Sequence, residues 1–295
     1  MTRTTKFRSR QLGADQSGTL VAVTPRQAGW KYVRFAVRQL ATGLTLQGKT
    51  GTEEVCLVLL EGSCHVHAGT ALTAALGPRA DVFSAYPHAV YLPPRTAFSI
   101  AATTRTVIAE CRAPAAGRFP ARLIKPENCG FEIRGGGNAT RQIVDVMPPS
   151  FPAERLMICE VFTPAGNWSS YPPHKHDTDD PPVEVDLDET YYYRFRAADA
   201  YGVQRLYGPD DRNDRTFTVR HGDLVPVRSG YHPFVSAYGY DAYYLNVLAG
   251  TRRSMAASDD PRYAGFRQQW PAPDPRVPLV EPPYPRPTVP PVTSA

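Results

Sequence analysis

The sequence predicts an all-β protein built as two halves, each a β-sandwich or barrel. Three observations carry this expectation. From Trp30 onward the 295-residue chain breaks into short runs rich in β-branched and aromatic residues, among them KYVRFAVRQL, EEVCLVLLEG, RTVIAECRAP, RLMICEVFTP and ETYYYRF. Turn residues separate these runs at fairly even spacing, the pattern of a sandwich or barrel rather than of alternating helices and strands. The two halves also repeat an order: a strand, an acidic opening (Glu53–Glu54 in the first, Glu189 in the second), an apolar strand, a Gly turn and a return strand closed by Pro.

Composition narrows the function. A hydrophobic content of 42% supports a real core, and the net charge of +5 is spread out. No Lys/Arg cluster is interleaved with aromatics, which argues against nucleic acid as a partner. No apolar run approaches the roughly 20 residues needed to cross a membrane. The basic N-terminus, MTRTTKFRSRQLGADQSG, is not followed by an apolar signal core, so the expected location is the cytoplasm. The five cysteines are odd in number and form no C-x-x-C pair, so they read as small buried apolar residues rather than disulfides or a thiolate cluster.

Taken in order, residues 1–28 read as a loosely packed arm and residues 29–125 as the first half. Residues 126–155 form a connecting segment that holds FEIRGGGNATRQIVDVM. Its Gly triplet lacks the Lys-Ser/Thr of a phosphate loop, so a tight turn or bulge is expected, with Arg134, Asn138 and Arg141 available to a partner domain or a substrate edge. Residues 156–270 form the second half. The tail, 271–295, has Pro at ten positions, so it reads as an extended strap or a disordered end, not a helix or central strand.

The chemistry concentrates in YPPHKHDTDDPPVEVDLDETYYYR, residues 171–194. On a strand, residues two apart share a face, so His174 and His176 can reach one ion while Lys175 points away. Imidazole suits a borderline divalent metal, and a carboxylate can complete the sphere. Glu189 opens a strand rich in aromatics, and His232 follows a strand in GDLVPVRSGYHPF. An H-x-H pair alone is a weak signal; with Glu189 and His232 it becomes a metal constellation of a small β-barrel. Glu184, Asp186 and Asp188 read as solvated loop acids, although a slipped register would let Asp188 or Glu184 replace Glu189. His65 and His67 lie on the wrong side of the first half's acidic opening to repeat the site.

The runs GNWSSYPPHKHD, ETYYYRF, QRLY, GDLVPVRSGYHP and GYDAYYLNVLAG closely resemble the 5-deoxy-glucuronate isomerase family of inositol breakdown. That family is related to the 5-keto-4-deoxyuronate isomerases of pectin breakdown. TGTEEVCLVLLEG, GPRADVF and FEIRGGGNATRQI agree in the first half. The resemblance implies a cytoplasmic bicupin of two jelly-roll β-barrels, the first a structural partner and the second carrying one metal site. It implies conversion of 5-deoxy-glucuronate to 2-deoxy-5-keto-gluconate, with His174, His176, Glu189 and His232 as metal ligands. The chain departs from the family at Arg228 and Ser229, where Pro-Arg is usual, and at Tyr193, where His is frequent.

Aldose–ketose isomerisation moves a proton between adjacent carbons, so a divalent metal is expected to stabilise an enediolate and a nearby base to shuttle the proton. Zn is the simplest choice, with Mn or Fe as alternatives that N/O ligands do not exclude. Alternation puts Tyr191 and Tyr193 on the face of Glu189, and Tyr244 and Asn246 share a face of a later strand. The tyrosines are the candidate catalytic residues, and Asn246 is a candidate for the substrate. Arg205 is a candidate for the substrate carboxylate, since a guanidinium binds carboxylates bidentately. The expected partner is a small sugar acid, and a homo-oligomer is left open. The competing readings are an iron-dependent cupin dioxygenase, which the same ligands would serve, and a non-catalytic sugar-binding bicupin.

Overall fold

Strands carry both halves of the computed structural model, which describes residues 6–285; helix is confined to Pro25–Ala28 and to short 3-10 turns. The large sheet of the first half runs in the order Gly18–Val23, Arg34–Leu40, Thr106–Pro114, Glu53–Ala68, Ala89–Leu92 and Arg122–Ile124. Glu53–Ala68 is long enough to serve two layers. Its far end leaves this sheet and pairs with Leu72–Arg79 and Ala97–Ala102. The bend falls at Gly62, whose φ of +91° and close approach to the Arg105 carbonyl leave no room for a Cβ.

The second half repeats the plan. Its large sheet is ordered Gly130–Arg134, Arg141–Met147, Met157–Thr163, Ala242–Gly250, Leu187–Phe195 and Leu224–Val227. Across from it stand the strands Trp168–Ser169, Phe234–Ser236, Tyr201–Leu206 and Arg215–Arg220. A two-residue strand at His174–Lys175 pairs with Ser258–Asp259.

The two large sheets pack against each other, and this decides why ETYYYRF shows no polar alternation. One face of Leu187–Phe195 meets the first half, with Tyr192 against Phe35 at 5.8 Å between ring centroids. The other face, Tyr191, Tyr193 and Phe195, lines the interior of the second half. Both faces are buried, so both are apolar or aromatic. The next strand obeys the same rule: Tyr243, Leu245 and Val247 face the first half, while Tyr244 faces the interior.

Strand pairing relates the halves position by position. Glu54 occupies in the first half the place of Asp188 in the second, and Val55 the place of Glu189, which is paired to Val227 as Val55 is to Leu92. Both acids act as clamps between the halves. Glu54 accepts the backbone N–H groups of Glu154, Arg155 and Leu156 at 2.7–2.8 Å and the Tyr91 hydroxyl at 3.0 Å. Asp188 accepts those of Lys31, Tyr32 and Val33 at 2.5–3.2 Å. Asp188 is therefore buried structural machinery and not a solvated loop acid. A third buried link joins Arg79 to Glu160, two Nη–Oε contacts of 2.8 Å, with the Tyr243 hydroxyl donating to the same carboxylate.

Two segments differ from their sequence reading, and the tail follows one of the two forms expected of it. Gly18–Val23, placed in the arm, is a strand of the first sheet, and Phe7 exchanges two 2.8 Å backbone hydrogen bonds with Leu224 of the second half. The connecting segment contributes two strands, Gly130–Arg134 and Arg141–Met147, to the second large sheet. The described part of the tail is a strap: Gln142 accepts from the N–H of Leu279 and Val280 and donates to the Val280 carbonyl at 2.7 Å. The rest of the tail, 286–295, lies outside the described residues.

Candidate metal centre

Glu189 stands at the start of its strand, on the interior face that the alternation assigns to it. His176 follows the short strand His174–Lys175, and His232 lies in the turn beyond Leu224–Val227. All three are buried, and each offers a ligand atom within 4.8 Å of the others. Glu189 Oε2 lies 2.8 Å from His176 Nε2 and 3.2 Å from His232 Nε2. His174 stands beside this group rather than inside it, its ring edge-on to His232 with 4.9 Å between centroids. Lys175 points away as expected, held by Asp177 and by Glu184 at 2.7–2.9 Å. Glu184 is buried in doing so and also accepts the N–H of Asp177 and Thr178, so it too is structural rather than solvated.

The surroundings orient every candidate ligand. His174 Nδ1 lies 3.2 Å from the Pro172 carbonyl, His176 Nδ1 3.2 Å from the Leu187 carbonyl, and His232 Nδ1 2.9 Å from the Gly230 carbonyl. A carbonyl only accepts, so each Nδ1 donates to the backbone and each Nε2 is the nitrogen left to face the site. Asn246 donates to Glu189 Oε1 at 2.6 Å, leaving Oε2 turned toward the imidazoles. His232 Nε2 is fully buried and makes no hydrogen bond of good geometry. A carboxylate among imidazoles whose far nitrogens are tied to the backbone is the arrangement that outer contacts give to metal ligands. The residues present therefore fit a divalent ion.

Electrostatics agree. Burial, and then the neighbouring imidazoles, pull His174 well below its ordinary value, so that it is neutral. Burial acts to raise Glu189, but the hydrogen bond to His176 and the close His232 imidazole win and hold it far below the carboxylate range. Burial lowers His176, yet its hydrogen bond to Glu189 raises it overall. The site is an anion surrounded by imidazoles in a largely buried pocket, which favours a cation.

Tyr191 and Tyr244 line the same pocket, with 4.7 Å between their rings and 5.8 Å from Tyr191 to His232. Ser170 bridges their hydroxyls at 2.8 Å and 3.5 Å, and Ser169 bonds the Tyr244 hydroxyl from the other side. Ser170 holds φ at +52°, a strained value for a residue other than Gly. Burial drives Tyr191 well above the usual phenol value and Tyr244 to about 12, so both are protonated donors at neutral pH. The serines escaped the sequence reading, although Ser170 precedes His174 by four residues in the same run.

Three sequence candidates land elsewhere. Tyr193 shares the Glu189 face but packs among Phe195, Phe234 and Tyr244, with ring centroids 5.0–6.4 Å apart, and does not line the pocket. Asn246 reaches the pocket but spends its amide on Glu189 and the Thr190 carbonyl, so its place is behind the ligand. Arg205 is not brought to the triad. Asp214 binds it bidentately at 2.7 and 3.0 Å, Asp211 adds a contact at 3.0 Å, and its guanidinium lies over the Tyr207 ring. Its charge is already met by two carboxylates, which removes the reason to assign it a substrate carboxylate. Arg228 and Ser229 border a different, open groove with Lys31 and Asp177. His65 and His67 are exposed at the far end of Glu53–Ala68, and in the first half Val55 takes the place of Glu189. The five cysteines are all buried and free. Burial drives the thiol of Cys159, which touches the pocket, far up and makes it a poor nucleophile.

Comparison with known proteins supplies the context for this site. A model of the KduI/IolB family matches residues 7–266. A 5-deoxy-glucuronate isomerase of Geobacillus kaustophilus (strain HTA426) is 45% identical over 248 residues, covering 84% of this chain and 90% of the relative. One from Bacillus subtilis (strain 168) is 38% identical over 243 residues, covering 82% and 90%. Among solved structures, an IolB-like protein from Salmonella typhimurium LT2 matches with a TM-score of 0.85 at 37% identity, over 89% of this chain and 98% of that one. An oxalate decarboxylase matches with a TM-score of 0.62 at 12% identity, over 88% and 80%. At that identity the likeness is one of fold alone, and the fold is the two-cupin one.

Proposed function

The chain belongs to the KduI/IolB family, and from that premise we infer that it is a 5-deoxy-glucuronate isomerase, converting 5-deoxy-glucuronate to 2-deoxy-5-keto-gluconate. The observation that carries this is the 45% identity to a 5-deoxy-glucuronate isomerase over 84% of the chain. The buried His176–Glu189–His232 group supports the chemistry. The same reading puts the protein in the cytoplasm and in inositol catabolism, with a small sugar acid as its partner. The dioxygenase alternative has only the ligand types in its favour, and a purely binding role leaves the ordered donor set without use.

His176, Glu189 and His232 would hold a divalent ion, Zn by preference with Mn or Fe as alternatives, and His174 stands where it can complete the sphere. Such an ion supplies a Lewis acid for the carbonyl and adjacent hydroxyl oxygens of the open-chain sugar, where negative charge develops. The remaining work falls to the chain. Tyr191 and Tyr244, kept neutral by burial, donate hydrogen bonds toward those oxygens. Ser170 links the two phenols, so a proton given up by one can be replaced from the other through the serine hydroxyl. Tyr244 is the more readily ionised member, because bonds from Ser169 and Ser170 and the Arg141 charge oppose the effect of burial. Asn246 keeps the Glu189 carboxylate in position.

The test is direct. Purified protein loaded with Zn, Mn or Fe is mixed with 5-deoxy-glucuronate and followed by NMR. Loss of the hemiacetal signal with metal-dependent appearance of the ketose is expected. Absence of conversion with all three metals overturns the isomerase reading.

A further inference from the structure

The Gly triplet of FEIRGGGNATRQI is not explained by the isomerisation, and it leads to a second feature of the pocket. Gly135 turns the chain back with φ of +87°, and a Cβ there would meet the Ala139 carbonyl at 2.1 Å. That turn brings the Ala139 carbonyl to Arg141, the first residue of the strand Arg141–Met147. Arg141 Nη1 donates to this carbonyl at 3.3 Å and to the Tyr171 carbonyl at 3.0 Å. Its Nε and Nη2 make no hydrogen bond with the described residues, and no carboxylate among them lies within ion-pair distance.

The contrast with its neighbours is sharp. Arg134, at the same pocket, is matched by Glu132 at 2.7 and 2.8 Å, and Arg267 by Asp259. Arg141 is only 3% exposed, yet it has carbonyls and no anion for company. Burial pulls its guanidinium down to about 10, which still leaves it charged at neutral pH. A buried, unmatched cation costs stability, and an anion arriving beside it would offset that cost. Arg141 borders the same pocket as His174, His176 and Glu189, and its charge is felt at His174 and Tyr244.

We propose that Arg141 is the anchor of a carboxylate-binding subsite in the metal pocket, taking the carboxylate of an open-chain uronate whose carbonyl end lies at the His176–Glu189–His232 group. The free Nε and Nη2 edge of the guanidinium matches the two oxygens of a carboxylate. Holding both ends of the sugar acid fixes which end meets the metal ligands and discriminates against neutral sugars. The identity of the sugar rests on the isomerase reading; the anion subsite itself does not.

The metal-loaded protein is titrated calorimetrically with glucuronate and with its neutral amide, and the Arg141→Gln and Arg141→Lys variants are treated alike. Wild-type protein is expected to bind glucuronate at least about ten-fold tighter than the amide. Arg141→Gln should erase that preference with metal content unchanged, and Arg141→Lys should keep part of it. With 5-deoxy-glucuronate, Arg141→Gln should raise KM by at least about ten-fold, with a smaller change in kcat. No preference in the wild type, or an intact preference in Arg141→Gln, overturns the subsite. If Arg141→Gln does not fold, Arg141→Lys decides: an undiminished preference counts against the subsite and a reduced one for it. Wild-type protein that binds glucuronate through Arg141 but fails to convert 5-deoxy-glucuronate would sink the isomerase reading and leave the subsite standing.

Discussion

Each histidine of the centre is held by its far nitrogen, and the carboxylate by an amide from the next strand. The candidate ligands His176 and His232 are therefore not interchangeable with their surroundings. Replacing His232 with Ala removes a lone pair that no neighbour can supply, since the other imidazoles are tied to backbone carbonyls. His232→Ala should abolish both bound metal, read by elemental analysis, and turnover; full activity in that variant would remove His232 from the ligand set. Asn246→Ala frees Glu189 Oε1 and should weaken metal affinity roughly 10- to 100-fold in a chelator competition, with the fold intact by circular dichroism. The period of two along Leu187–Phe195 made Glu189 and Tyr191 legible in the sequence, because side-chain direction on a strand is fixed by count alone. Distance along the same face is not. Tyr193 points the same way as Tyr191 yet packs into the aromatic core, and Arg205 was indistinguishable from an unpaired arginine until Asp211 and Asp214 folded onto it.

At the scale of elements, the strap after Trp270 shows what composition can and cannot say. Its prolines exclude helix and central strand, as the sequence indicated, but not where it docks. Asp274 binds Arg276, accepts from Asn167 at 3.0 Å, and its own N–H is held by Thr140. The Arg276 hydrogen bond, ahead of the other contacts, lowers Asp274 to about 2. A carboxylate depressed in the folded state stabilises above its unfolded value, near 3.8, and that contribution fades as pH falls toward about 2. The strap should therefore become more susceptible to an acid-active protease between about pH 4 and 2. Asp274→Asn should show weaker protection at neutral pH, by at most about 1 kcal/mol given the partial exposure, and a flatter profile across that window. An identical profile in the two proteins would count against Asp274 as the acid-sensitive contact.

In the whole molecule, the halves hold each other by reciprocal devices: Glu54 reaches into the second and Asp188 into the first. Phe7 adds a further link, pairing with Leu224 at the edge of the second half's sheet. The repeat was visible in the sequence as two acidic openings, but one residue out of step, because Glu53–Glu54 and Asp188–Glu189 look alike as letters. Burial resolves them: Glu54 corresponds to the clamp Asp188, and Val55 fills the ligand's place with hydrocarbon. Glu54→Ala would leave three backbone N–H groups and the Tyr91 hydroxyl without their acceptor. A loss of roughly 3 kcal/mol or more in urea unfolding is expected, with Glu54→Gln losing less. A loss below about 0.5 kcal/mol in Glu54→Ala would mean that water replaces the clamp.

The backbone carbonyls of Pro172, Gly230 and Leu187, which hold the imidazoles, belong to the framework. A divalent ion bound there would enter a mould cast by folding. It would be a tenant, unlike the staple of a zinc finger, whose chain collapses without it. Stripping the protein with a chelator should end turnover while leaving the circular dichroism spectrum in place, and returning the metal should restore activity without a refolding step. The melting temperature should climb with free metal only as mass action requires. Unfolding on chelation would show instead that the ion holds the mould together.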